Sequence, residues 1–409
     1  ATFELLFAAL ALARSRRVLL VVLSSTLSRR RLLGGASAMF RRKRLAQFAA
    51  ENEEETPNDG LKLSLFDLLC IGIGGTVGSG VFVLTGEVLP LAGPSSYLCW
   101  IFGGAVCLLS ALSYCELATR VPTRGSCYAY SYHALGELAA VAGATSLTLE
   151  YGLSGAGIAR SWSSKFAELF AGVSSDGVDY GAAGIQVASV LVVAAGAQLS
   201  TRVINVFTVA KVALVVFMIV AAFLAGEKGL APHQAAEKTT GGLITGTSLV
   251  FFGFIGFDEV VCMASRASDP RRALPRAIIG TLAGASLLSC LAQLALTRLI
   301  IPDSDKRSTS FEEGFQTAGW PRAQKITQIG EVLLLPLVVI LSFLPQPELC
   351  AALSHDCKKA GVSNCLFRDW RELARRAKPR RETPASRVAP RASRLASWRR
   401  GEHDGPTLS

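Results

Sequence analysis

Eight apolar segments, each 18 residues or longer, constrain what this chain can fold into more than any other feature. They cover residues 64–90, 96–118, 128–156, 183–200, 203–225, 243–264, 274–301 and 329–352. A helix needs roughly 20 apolar residues to cross about 30 Å of hydrocarbon. The pattern therefore predicts an all-α multi-pass membrane protein with about eight spans. The third segment is long enough to tilt or protrude. The fourth and fifth, separated by Ser200, Thr201 and Arg202, form a tight helical hairpin.

Charge follows the same division. Only 18% of the residues are charged, against about 25% in soluble globular chains. The charges crowd into the first 62 residues, a few short loops and the stretch after Lys358. Three regions follow: 1–60, a cytosolic or targeting segment; 61–356, the membrane core; and 357–409, a basic solvated tail. Lys and Arg near the span ends place the N-terminus inside, with Arg120, Arg202, Arg266 and Arg271 on that side and Lys165, Lys306 and Lys325 opposite. The plasma membrane is the expected location, with the vacuolar or plastid membrane as alternatives.

The net charge of +11 raises the question of nucleic acid. No aromatic–basic interleaving supports that partner, and many of the basic residues flank apolar segments. Cys70, Cys99, Cys107, Cys115, Cys262 and Cys290 lie in or beside the spans, where a thiol acts as a small hydrophobe. Cys350, His355, Cys357 and Cys365 are too loosely spaced for a zinc site. No nucleophile–base arrangement or nucleotide loop is present, so the expectation is neither an enzyme nor a cofactor-binding protein.

Two spans are interrupted. In the first, Gly72, Gly74, Gly75, Thr76, Gly78, Ser79 and Gly80 put small residues in mid-membrane. Unwound backbone survives there only where it lines a cavity or is buried by protein. A second half-helix would then begin with free N–H groups suited to a carboxylate. Small-residue helix packing is the alternative. In the sixth span, Phe252-Gly253-Phe254-Ile255-Gly256 precedes Asp258 and Glu259, and freed carbonyls there would accept from an ammonium. Paired interruptions in two spans point to a transporter site at the bilayer midplane. Thr76, Gly78, Ser79, Gly80, Phe252, Gly253, Phe254 and Ile255 are the candidate substrate-binding residues, for an amino acid.

Lys211 is the one charge in the apolar run from Val203 to Ala225. A lysine at that depth faces a cavity or a partner, or snorkels toward Arg202. It is the candidate coupling or cation-site residue. Glu150, Asp258 and Glu259 are candidate pathway acids, with Glu150 alternatively ending its helix at the interface. Glu116, beside Arg120, reads as a structural ion pair.

The stretch Gly78-Ser79-Gly80-Val81-Phe82-Val83-Leu84-Thr85-Gly86-Glu87-Val88, followed by Ala92-Gly93-Pro94, resembles the amino acid–polyamine–organocation superfamily, and within it the cationic amino acid transporters. Tyr114-Cys115-Glu116-Leu117-Ala118, Leu149-Glu150-Tyr151, Ala159-Arg160-Ser161-Trp162-Ser163 and Gly256-Phe257-Asp258-Glu259 extend the likeness across 61–356. It implies a leucine-transporter-type fold of two inverted five-helix repeats, alternating-access transport, and a role for Lys211 in place of a sodium ion, linked to proton coupling.

The pattern departs at Ser265 and Arg266, which stand where the family carries two acids. The resemblance also implies ten spans where about eight are present, so a fragment, a shifted reading frame after Asp356 or a non-transporting remnant are rival expectations; Ala1 in place of Met fits an incomplete start. Side-chain specificity, coupling ion and oligomeric state are not encoded in these motifs.

Overall fold

The structure is a computed structural model that describes residues 42–43, 47, 62–121, 123, 125–170, 179–194, 201–226, 240–300 and 310–359. The expectations for 1–60, beyond Arg42, Lys43 and Gln47, and for the tail after residue 359 lie outside these residues.

The chain is an all-α multi-pass membrane protein. Its helices are α1 (Leu65–Ser79), α2 (Thr85–Ala92), α3 (Ser96–Arg120), α4 (Cys127–Ala134), α5 (Glu137–Phe170), α6 (Tyr180–Ala194), α7 (Thr201–Ala225), α8 (Thr240–Phe251), α9 (Phe257–Cys262), α10 (Pro270–Leu299), α11 (Phe311–Thr317), α12 (Pro321–Ser342) and α13 (Gln346–Lys359). Five stretches of the described residues are long and apolar enough to cross a membrane: 65–120, 201–225, 241–262, 270–299 and 321–353. The first of these turns at Gly93 and Pro94.

Local chemistry sets the boundaries. Ser64 caps α1 reciprocally with Asp67: the Asp67 N–H donates to the Ser64 hydroxyl at 3.2 Å, and the Ser64 N–H donates to the Asp67 carboxylate at 2.9 Å, a capping box. Two expected spans are divided. The third breaks at Leu135 and Gly136, where φ is +112° at the glycine and the Ser131 carbonyl accepts from both N–H groups. The eighth ends at Ser342 and restarts at Gln346 after Pro345, which has no N–H to continue the ladder.

α1 is the central element. α7, α9, α10 and α12 pack around it, α10 also lies along α3, and α5 pairs with α12. The interior holds Trp100, Tyr151, Phe254, Leu274 and Ile278 on one side and Met218, Leu296, Phe315 and Leu335 on the other. Outer faces carry exposed Phe102, Leu109, Val206, Val209, Leu224, Leu287 and Leu333. So extensive an apolar surface suits hydrocarbon.

Candidate functional site

Both expected interruptions are present. In the first span the backbone leaves the helical region at Val77 (φ −79°, ψ 58°), and the chain then widens into a π-helical turn over Gly80–Leu84 before α2. The Thr76 hydroxyl donates back to the Gly72 carbonyl at 2.8 Å, and the Thr85 hydroxyl to the Val81 carbonyl at 2.6 Å. These bonds satisfy acceptors next to the irregular segment.

The second interruption is sharper. α8 tightens into a 3-10 turn at Phe252–Phe254, Ile255 is extended (φ −57°, ψ 131°), and Gly256 has φ +131°. That conformation excludes an L side chain at little cost only for glycine. Asp258 secures the turn by accepting from the Gly256 N–H at 3.1 Å.

The two interruptions meet. A Cβ placed on Gly80 would lie 3.0 Å from the Gly253 carbonyl oxygen, and one on Gly253 would lie 3.1 Å from the Gly80 Cα. One on Gly256 would lie 2.6 Å from the Thr76 nitrogen. Backbone touches backbone, which only glycines permit. The remaining candidates divide by surroundings. Gly78 faces Val338 of α12. Phe254 is buried edge-on against Trp100, with centroids 5.7 Å apart, while Phe252 and Ile255 stay half-buried.

The charged candidates fall around the same core. Lys211 is buried and donates from Nζ to the Gly74 carbonyl. It is the last of three contacts along one face of α7: Asn205 donates to Asp67 at 2.6 Å and Thr208 to the Cys70 carbonyl at 2.9 Å. Snorkelling toward Arg202 does not describe this geometry, since the amine points into α1. Asp258 accepts from the Tyr151 hydroxyl, which ties α5 to α9. Glu259 is buried against Gly75, and Glu150 is half-buried on α5.

Three groups of residues escaped sequence reasoning. Gln293 of α10, fully buried, accepts from the Trp100 indole at 3.0 Å and donates to the Thr85 carbonyl at 3.2 Å. It bridges the first residue of α2, next to the π turn, and Trp100 of the aromatic pair; a lone Gln deep in an apolar span was the available signal. The sequence places Lys165 near a span end, on the side opposite the N-terminus, without a partner. It lies buried, bonded to Glu312 of α11 at 2.7 Å and paired with Glu331 of α12. Burial pushes the Glu312 carboxyl up, but the Lys165 ammonium beside it and the Ser310 hydroxyl outweigh that and hold it below the usual carboxylate range. Glu331, an acid near the start of an apolar span, was the missed cue.

The third group concerns the departure at Ser265 and Arg266. Arg266 pairs with Glu348 of α13. Its carbonyl accepts from the Leu63 N–H at 2.8 Å, and Ser268 donates back to Leu63 at 3.0 Å. A basic residue here thus meets an acid supplied by another helix. Lys43 adds a contact with Asp356 at 2.7 Å, which also accepts from Tyr128 at 2.7 Å.

The sequence profile described as amino acid permease matches residues 63–354. The chain belongs to the amino acid permease family. Membership agrees with the motifs in the first span and at Gly256-Phe257-Asp258-Glu259. The cationic amino acid transporter 4 of Mus musculus is 30% identical over 330 residues, covering 74% of this chain and 51% of that protein. The methylthioribose transporter of Bacillus subtilis is 30% identical, covering 78% and 72%. The branched-chain amino acid permease of the same organism is 31% identical, again covering 78% and 72%. The chain spans about half the length of the cationic amino acid transporters it matches.

Proposed function

We propose that this family member carries amino acids, cationic ones among them, across a membrane by alternating access in a leucine-transporter-type arrangement. The contact between Gly80 and Gly253 carries the reading, because it brings the two irregular backbones to one point. Backbone N–H groups near Gly78, Ser79 and Gly80 would bind the substrate carboxylate. Carbonyls of Phe252 to Ile255 would take the ammonium, and Phe252 and Ile255, half-buried, would border the path. Lys211 would fill the cation position, with a proton as the coupling ion. The relatives, which include proteins named as cationic amino acid transporters and a branched-chain amino acid permease, support this substrate class.

Counterflow into proteoliposomes loaded with unlabelled arginine tests the reading. Radiolabelled arginine should accumulate transiently above its external level, with less or no response to unlabelled glucose inside. Entry at the rate of protein-free liposomes would exclude transport by this chain.

A further inference from the structure

Glu259 is 3% exposed, and its Oε2 has no hydrogen-bond partner among the described residues. A Cβ on Gly75 would sit 2.5 Å from that oxygen. The carboxylate is therefore pressed against the same peptide unit whose carbonyl, that of Gly74, accepts from Lys211. Peptide dimensions keep Lys211 Nζ and Glu259 Oε2 within about 8 Å of each other. The titratable groups around Glu259 are Asp258 and Cys262 on its own helix, Lys211 on α7, Glu150 and Tyr151 on α5, and Tyr114 of α3 beyond Phe257. α1 faces it with glycine, and the arginines of α10 sit at that helix's two ends.

The charges here do not balance. Asp258 accepts from the Tyr151 hydroxyl and the Gly256 N–H, so its carboxyl is held by donors of its own. Lys211 supplies one positive charge for two buried carboxylates. A buried charge without a partner is strongly disfavoured, so one more positive charge belongs at this point. The free oxygen of Glu259 is the acceptor that remains.

We propose that Glu259 is a proton-loading group, taking one proton on Oε2 from the solution on one side and releasing it to the other as α1 shifts against α9. Lys211 is the fixed counter-charge across the Gly74–Gly75 peptide. The coupling role rests on the transport reading above; the protonated carboxyl itself does not. Gly75 gives the carboxyl its room, so the site is built by both interrupted helices.

Dicyclohexylcarbodiimide, which reacts with protonated carboxyls inside a membrane, tests the site on the full chain in liposomes. The peptide containing Glu259 should gain the adduct at neutral pH, lose most of it at strongly alkaline pH, and show none in Glu259→Gln. Glu259→Asp should restore it, which separates loss of the group from loss of fold. An unlabelled Glu259 at neutral pH, beside labelled carboxyls in the same sample, would overturn the proposal. So would protection by sodium ions rather than by alkali, which would mark a metal-cation site. In uptake assays Glu259→Gln should lose proton-gradient-driven accumulation about tenfold more than exchange; equal losses would overturn the coupling role. Labelling without any wild-type exchange would sink the transport reading and leave the proton site standing, whereas exchange without labelling would do the reverse.

Discussion

Lys211 reaches from α7 into the first interrupted helix and donates its ammonium to the Gly74 carbonyl, three residues before the backbone leaves the helical region at Val77. With Thr208 and Asn205 it forms a ladder of three polar contacts between α7 and the part of α1 that precedes Val77. The part of α1 before the interruption is thus tied to α7 by side-chain bonds.

Replacing Lys211 by Met removes a charge-assisted bond, worth about 1.5–3 kcal/mol, from the α1–α7 contact. Proton-driven arginine uptake should fall about tenfold or more, while the protein stays monodisperse on gel filtration. Uptake equal to wild type would remove Lys211 from the mechanism.

Tyr151→Phe deletes the hydroxyl donor to Asp258 and keeps the ring packing. A buried acceptor left short of a partner costs about 1–3 kcal/mol. Thermal unfolding in detergent should therefore begin at lower temperature, and Tyr151→Leu should cost more because the fully buried ring is lost too.

How far these features were legible in the sequence follows from physical scale. Spans, interruptions and Lys211 were readable because a bilayer punishes polar backbone and charge locally, residue by residue. Tyr151 and Gln293 were not, since their roles depend on which helices become neighbours. The division of the third and eighth spans turned on Gly136 and Pro345, single residues inside apolar runs long enough to be read as continuous. The partners of Lys165 were hidden for the same reason: Glu312 and Glu331, far away in the chain, close over it only in the fold.

Lys165→Met should be among the most destabilising single changes, about 3–5 kcal/mol, because it strands two buried carboxylates. Adding Glu331→Gln should recover part of that loss. The acid response follows from Glu312, whose folded-state carboxyl lies below the usual range. Its contribution is complete above the unfolded value and disappears as pH falls through the folded one. Unfolding temperature below about pH 4 should then drop more steeply for wild type than for Glu312→Gln.

Arg266→Glu sets an acid against Glu348 and should lower stability by about 1 kcal/mol, the modest value reflecting the partial exposure of the arginine. The double change Arg266→Glu with Glu348→Arg should restore most of it, as a double-mutant cycle in unfolding temperature would show. Additive losses would mean that the pair is not coupled.

The central claim is that the two irregular backbones form one binding point at Gly80 and Gly253. Equilibrium binding of radiolabelled arginine to the purified, folded chain tests it most directly, using Gly80→Ala, Gly253→Ala and, as control, Gly152→Ala, whose added methyl meets open space. The account predicts that both core substitutions weaken binding about tenfold or more while the control matches wild type. Wild-type affinity in both core variants would contradict it.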